Sequence, residues 1–344
     1  MAITEVSQAT AEKKYLFAEQ TTVGFGTAEA DAVTGAALCQ LDCEPFEIVP
    51  DVKRIDNPQS VGSRKPRDSS VIFHSNGSAP TFAITYNAMA DNLDHLFAAI
   101  FQNVTEGETT PFPKTYTFGD TQPNFRTPAG YAYTFWECDP AASKDVKVFD
   151  VISNKMTLTL TLDAPLKVTQ EFIARGLPSF VANQTGTPTE ASNADMFYAQ
   201  KLARKTINFG GGAKSFDLVS LEIGLAWNTV QLIGQDGAGS FDTYGLFDLK
   251  NIFKIQVVKD SDFHTALTNW STDVPIDCNF GWGNATPGTV DNDLDFAFHG
   301  KIVNTAKAHN QIIEGIFEGE MFENDAGTVE PITAVLANAV DRSW

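Results

Sequence analysis

The chain has 344 residues, of which 43% are hydrophobic and 19% charged; it is long enough to bury more than one ordinary core and too apolar for wholesale disorder. Its 43 acidic and 24 basic residues leave a formal charge of −19, so the surface as a whole repels phosphate, which disfavours a sequence-reading nucleic-acid binder but not a protein that passes close to DNA without adhering. The four cysteines, Cys39, Cys43, Cys138 and Cys278, show neither CxxC nor regular spacing, a pattern of free thiols rather than a zinc site or a disulfide framework.

From the N-terminus, MAITEVSQATAEKKY lacks an apolar signal region, and no stretch approaches the run of about 18 apolar residues that spans a membrane. Folding in a reducing cytoplasm, with no membrane binding, is therefore expected. A short strand is predicted at Phe82, Ile84 and Tyr86, which alternate with polar neighbours. Asp91 is placed to cap a helix, DNLDHLFAAIFQ, whose Leu93, Leu96, Phe97 and Ile100 share one face.

The region Gln102–Asp145 contains five prolines and many aromatics, among them Phe112, Tyr116, Phe118, Phe125, Tyr131, Tyr133, Phe135 and Trp136. An extended hairpin is expected, with its aromatics serving either as an interface or as a satellite core. From Ser153 to Asp163, Met156, Leu158, Leu160 and Leu162 alternate with lysine and threonine, as on a half-buried strand. The polar, turn-rich stretch between Gly176 and Gly212 then marks a boundary, with DMFYAQKLARK as a short helix.

Beyond it, Val219, Leu221, Ile223, Leu225 and Trp227 form one face of a strand, and Phe253, Ile255 and Val257 another. Asp260 or Ser261 begins a second helix carrying Phe263, Ala266, Leu267 and Trp270. Leu294, Phe296 and Phe298 oppose Asp291, Asp293 and Asp295 on a further strand. The order of features repeats: CQLDCEPFEIV, TFAITY, DNLDHLFAAIF and DVISNKMTLTLTL find counterparts in FDLVSLEIGLA, IFKIQVV, SDFHTALTNW and DNDLDFAFHGKIV. The expected architecture is mainly β: two tandem domains of antiparallel sheet with a single packed face, 1–178 and 213–344, each with a flanking helix, joined by a linker at 179–212. The first would carry an N-terminal arm and the hairpin loop 102–145, the second a C-terminal arm.

Catalytic spacing is lacking. The histidines His74, His95, His264, His299 and His309 form no HExxH, there is no GxSxG, and Ala213 interrupts the only phosphate-loop-like run, NFGGGAKSF. DNDLD opens like a calcium loop, but Phe296 and Ile302 stand where glycine and glutamate are needed. No enzyme, metal or cofactor is expected. The three aspartates on one strand face are either an ordinary solvated surface or the wall of an acidic channel, to which Glu314, Glu318 and Glu320 on the next strand would contribute.

The opening FAEQTTVGFGTAEADAV, the segment DVKRIDNPQSVGSRKPRDSSVIFHSNGSAPTFAITYNAMADNLDHLFAAIF and the hairpin DVISNKMTLTLTLDAPLKVTQEFIARG resemble phage tail tube proteins. The resemblance implies a β-sandwich or barrel with a flanking helix, edge-to-edge pairing of copies into a ring, and stacked rings conducting double-stranded DNA through the virion tail, with other tail proteins as partners. With two such domains per chain, three copies would make a pseudo-sixfold ring; without the duplication, six copies are expected. Phe112, Tyr116, Phe118, Phe125 and Tyr131 are then candidates for contacts between rings. Rival expectations are a capsid decoration or tail-tip protein, a carbohydrate-binding β-sandwich, and a glycosidase with paired carboxylates.

Overall fold

A computed structural model of the chain describes residues 13–20, 38–48, 53–56, 71–74, 81–118, 132–139, 144–174, 178–184, 188–190, 196–208, 212–233, 241–258, 263, 268, 274–309 and 313–338. The strands are β1 (Lys14–Glu19), β2 (Cys39–Leu41), β3 (Lys53–Asp56), β4 (Val71–His74), β5 (Thr81–Asn87), β6 (Gln102–Glu106), β7 (Pro113–Phe118), β8 (Tyr133–Cys138), β9 (Asp145–Thr161), β10 (Lys167–Ala174), β11 (Ser179–Val181) and β12 (Thr189–Glu190). They continue with β13 (Leu202–Asn208), β14 (Ala213–Ser215), β15 (Leu218–Ile233), β16 (Phe241–Leu249), β17 (Asn251–Val258), β18 (Ile276–Trp282), β19 (Asp293–His309), β20 (Ile313–Met321) and β21 (Ile332–Ala337), and helix α1 spans Ala90–Phe101.

Among the described residues the fold is mainly β and almost wholly antiparallel, the exception being a two-residue pairing of β12 with β2. Nineteen strands belong to one hydrogen-bonded network, and β3 and β4 form a separate pair. The expected division into two tandem units is not visible as a break, because β9 and β15 pair across it from Lys155–Ala226 to Thr161–Ser220. Nor is 102–145 a single extended hairpin. β6 and β7 pair with each other, β7 joins β21, and β8 is enclosed between β1 and β9. The predicted helix at 195–205 is instead a single 3-10 turn (Ala199–Lys201) running into β13.

The same pairing scheme occurs twice. β1 pairs with β2 and β8, β8 with β9, β9 with β10 and β11, and β10 with β5. Likewise β13 pairs with β14 and β18, β18 with β19, β19 with β20 and β21, and β20 with β17. Cys43 bridges to Tyr86 on β5 where Leu218 of β15 pairs with Val257 of β17. Even an irregularity repeats: β9 holds one extra residue, Asn154, against β10, and β19 one extra residue, Val303, against β20. Matched through these ladders, Lys155 corresponds to Asn304, Thr159 to Ala308 and Cys43 to Leu218.

Period-2 alternation produces these strands. On β5, Phe82, Ile84 and Tyr86 are buried while the residues between them face outward, and β17 repeats this with Phe253, Ile255 and Val257. Helix α1 lies within the core, touching β9, β7 and β21, and is buried on nearly all sides. Its polar groups must therefore be satisfied internally. Asp94 accepts bonds from Lys114 Nζ at 3.0 Å and the Tyr116 hydroxyl at 2.6 Å. Asp91 is not the cap; Met89 holds that position, and Asp91 in the first turn accepts a bond from Asn338. Trp227 on β15 donates its indole N–H to the Ile100 carbonyl at 2.8 Å, fastening the helix to the later half of the chain. Of the second predicted helix only Phe263 and Thr268 are described, and both are helical. Phe263 is buried, its ring 4.9 Å from that of Phe317 and packed over Gly315.

Candidate functional site

Two features bear on function: the acidic cluster on β19 and the broad polar face of the sheet. In the first, Asp293 and Asp295 alternate onto the same side of β19, as predicted, but that side is not solvated. β13, two strands away in the same sheet, sends Arg204 across Gly281 of β18, and Arg204 donates through Nη2 to Asp293 at 2.7 Å and through Nε to Asp295 at 2.8 Å. The two aspartate side chains are only 1% and 3% exposed. Asn279 and the Gly288 N–H supply further donors, and Arg204 also reaches the Trp282 carbonyl. Burial pushes the Asp295 carboxyl above its ordinary range, against the pull of Arg204.

Glycine is needed at Gly281, where an added Cβ would meet the Asp295 carboxylate and the Arg204 guanidinium. Asp293 and Asp295 thus lock β13 to β19 and are removed from any channel wall. The sequence pattern placed them correctly on one face but could not reveal Arg204, about 90 residues earlier, arriving to neutralise them. Asp291 lies outside the strand, exposed in the preceding turn, with its carboxylate accepting the Asn292 N–H.

The second feature is the outer side of seven consecutive strand segments: 43–48, β5, β10, β9, β15, β17 and β20, with the latter half of β19 beyond them. Registers place Thr85, Thr169, Thr157 and Gly224 in one row and Asn87, Lys167, Thr159, Glu222, Lys254, Glu318 and Asn304 in the next. Glu318 accepts from Lys254 at 2.8 Å and from Asn304 at 3.0 Å, and these bonds hold its carboxyl below the usual carboxylate range. Lys155 pairs with Glu171 at 2.8 Å and Lys167 with Glu44 at 2.6 Å. Glu320 is exposed opposite Lys301 and Ile252, and Glu314 stands opposite Val258 and Ala308 with its side chain outside the described residues. The face is therefore a hydroxyl-rich surface on which lysines are matched by glutamates, rather than a purely acidic one.

No group of His, Cys, Asp or Glu among the described residues is arranged to hold a metal, and no described helix is long and apolar enough to cross a membrane. A family model for phage tail tube protein matches residues 10–316. The chain belongs to the phage tail tube protein family. A search of curated proteins gave no match. Membership of the tail tube family makes the chain a structural subunit of a virion tail, and it implies self-assembly into a tube alongside other tail proteins.

The aromatic residues predicted to join rings of the tube are distributed differently from expectation. Tyr116 and Phe118 are core residues, packed on Phe97 and Phe101 of α1, because β7 lies between β6 and β21. Neither presents a free surface. Phe112 is half-buried, and Phe125 and Tyr131 lie outside the described residues. Among the described residues, an exposed aromatic that sequence reasoning missed is Phe180 on β11, 74% exposed. A three-residue strand carries too little periodicity to announce which side is dry.

Proposed function

We propose that this tail tube subunit closes head to tail into a ring of three chains, that rings stack into a tube, and that the polar sheet face lines a bore conducting double-stranded DNA. The observation that carries this is the β9–β15 ladder, which already joins the two repeats of the pairing scheme edge to edge. A heterologous contact that repeats the same rotation generates a ring when that rotation closes. Two repeats per chain and three chains give pseudo-sixfold symmetry. Exposed strand edges, hazardous in a monomer, would be consumed in the assembly.

Size is consistent with three copies. Four strand segments per repeat give about 24 strands per ring; at about 4.8 Å spacing the circumference is about 115 Å and the backbone diameter about 37 Å before tilt. That leaves room for one duplex after side chains are added. Six copies would double the diameter and leave the DNA unguided. The chemistry of the face also suits passage without adhesion, because lysines held by Glu318, Glu171 and Glu44 are less free to replace the counterions of phosphate.

Electron microscopy of the purified, concentrated protein tests the reading. Annular rings or hollow tubes with three chains per ring are expected. A monodisperse monomer at all concentrations, or rings of six chains, would overturn it.

A further inference from the structure

We propose that the second edge of β19, from Asn304 to His309, receives segment Cys43–Ile48 of a neighbouring copy in the register that β9 uses for β15 within the chain. The proposal rests on the ring reading above and specifies its closing contact. β9 serves two edges in its latter half, β10 on one and β15 on the other. β19, its counterpart, serves β20 on one edge, and among the described residues no strand pairs with the other edge beyond Gly300. The missing neighbour corresponds to β15, and the counterpart of β15 in the first repeat is the segment 43–48.

That segment has an open side too. Cys43 and the Glu44 N–H engage β5, while the Phe46 and Ile48 N–H groups are taken by the Tyr15 hydroxyl and the Glu137 carboxylate. Phe46 and Ile48 turn toward the core, and Pro45 and Glu47 outward, as Leu221 and Ile223 turn inward on β15 and Ser220 and Glu222 outward. No described strand pairs with the side away from β5. Within the chain, Leu221 opposes Leu160, Glu222 opposes Thr159 and Ile223 opposes Leu158. Carried over through the matched ladders, Phe46 opposes His309, Glu47 opposes Ala308 and Ile48 opposes Lys307 of the next copy.

Both junctions are apolar on the inner side: Leu221 and Ile223 oppose Leu160 and Leu158 within the chain, and Phe46 and Ile48 are the inward residues of the segment offered to the neighbour. Pro45, lacking an N–H, blunts the free edge of an unassembled chain.

The test is cross-linking in a Cys43→Ser background. Opposed Cα atoms of antiparallel strands lie about 4.5–5.5 Å apart, within disulfide range. Glu47→Cys with Ala308→Cys should give, on mild oxidation, covalent dimers and closed trimers on a non-reducing gel, whereas either single variant should not. Glu47→Cys with Ala306→Cys, a two-residue slip, should link at least tenfold less. Rings seen by microscopy without the first linkage, or with the slipped pair linking as well, would overturn the register while leaving the ring intact. Absence of rings in the unmodified protein would instead overturn the ring itself.

Discussion

Replacing Arg204 by alanine would leave Asp293 and Asp295, 1% and 3% exposed, without their shared cation. The guanidinium makes bonds of 2.7 and 2.8 Å to the two carboxylates and another to the Trp282 carbonyl. Removing one partner of a buried ionic cluster costs about 3–5 kcal/mol, a large share of the roughly 5–15 kcal/mol that holds a typical domain together. Urea unfolding at neutral pH should show that loss for Arg204→Ala.

The pH dependence gives a sharper signature. Without Arg204 the chief pull against burial at Asp295 is lost, so the folded state binds more protons there than the unfolded one, and stability rises as pH falls toward its raised folded value. Asp295 is already displaced upward in the intact protein. The deficit of Arg204→Ala should therefore shrink between pH 8 and pH 5, and the triple variant with Asp293→Asn and Asp295→Asn should recover much of it at neutral pH. A deficit below about 1 kcal/mol, or one flat across that range, would refute the burial and pairing described for this cluster.

Phe263→Ala should cost about 3–5 kcal/mol in the same assay, since the ring fills the space above Gly315 against Phe317. Lys114→Ala, which strips the buried Asp94 of its cation, should cost a similar amount, about 3–5 kcal/mol, and loosen α1, measurable as faster amide exchange in that helix. Glu171→Gln with Glu318→Gln should change stability by less than about 1 kcal/mol, because both pairs are substantially exposed. The small contribution of the Glu318 pair, whose folded carboxyl is lowered, is present above its unfolded value and disappears as acid takes pH through the folded value. In a tail, this double variant should slow DNA delivery by releasing Lys155 and Lys254 toward phosphate, scored as delayed genome entry at unchanged tube assembly; delivery at the normal rate would remove these pairs from the bore.

Much of the strand content was legible because a half-buried antiparallel strand writes its dry side into every second residue. Phe82, Ile84 and Tyr86, then Phe253, Ile255 and Val257, specify both the strand and the side it buries. Of the segments whose order repeats in the sequence, CQLDCEPFEIV and FDLVSLEIGLA lie beside β5 and β17, whereas DVISNKMTLTLTL and DNDLDFAFHGKIV are out of step in the ladders, which match Lys155 to Asn304. Local sequence also set the span of α1 to within a turn.

What each polar or aromatic side chain meets was decided only by tertiary structure. Asp293 and Asp295 look like a solvated face until β13 brings Arg204 across them, and Tyr116 and Phe118 look like a displayed loop until β21, more than 200 residues later, pairs with β7. Glu318 reads as one more acid in an acidic chain until the register sets Lys254 beside it. Periodicity is a property of neighbours along the chain and fixes the side of a strand. The charge and dryness of that side depend on a partner strand whose distance in sequence leaves no trace in the local pattern.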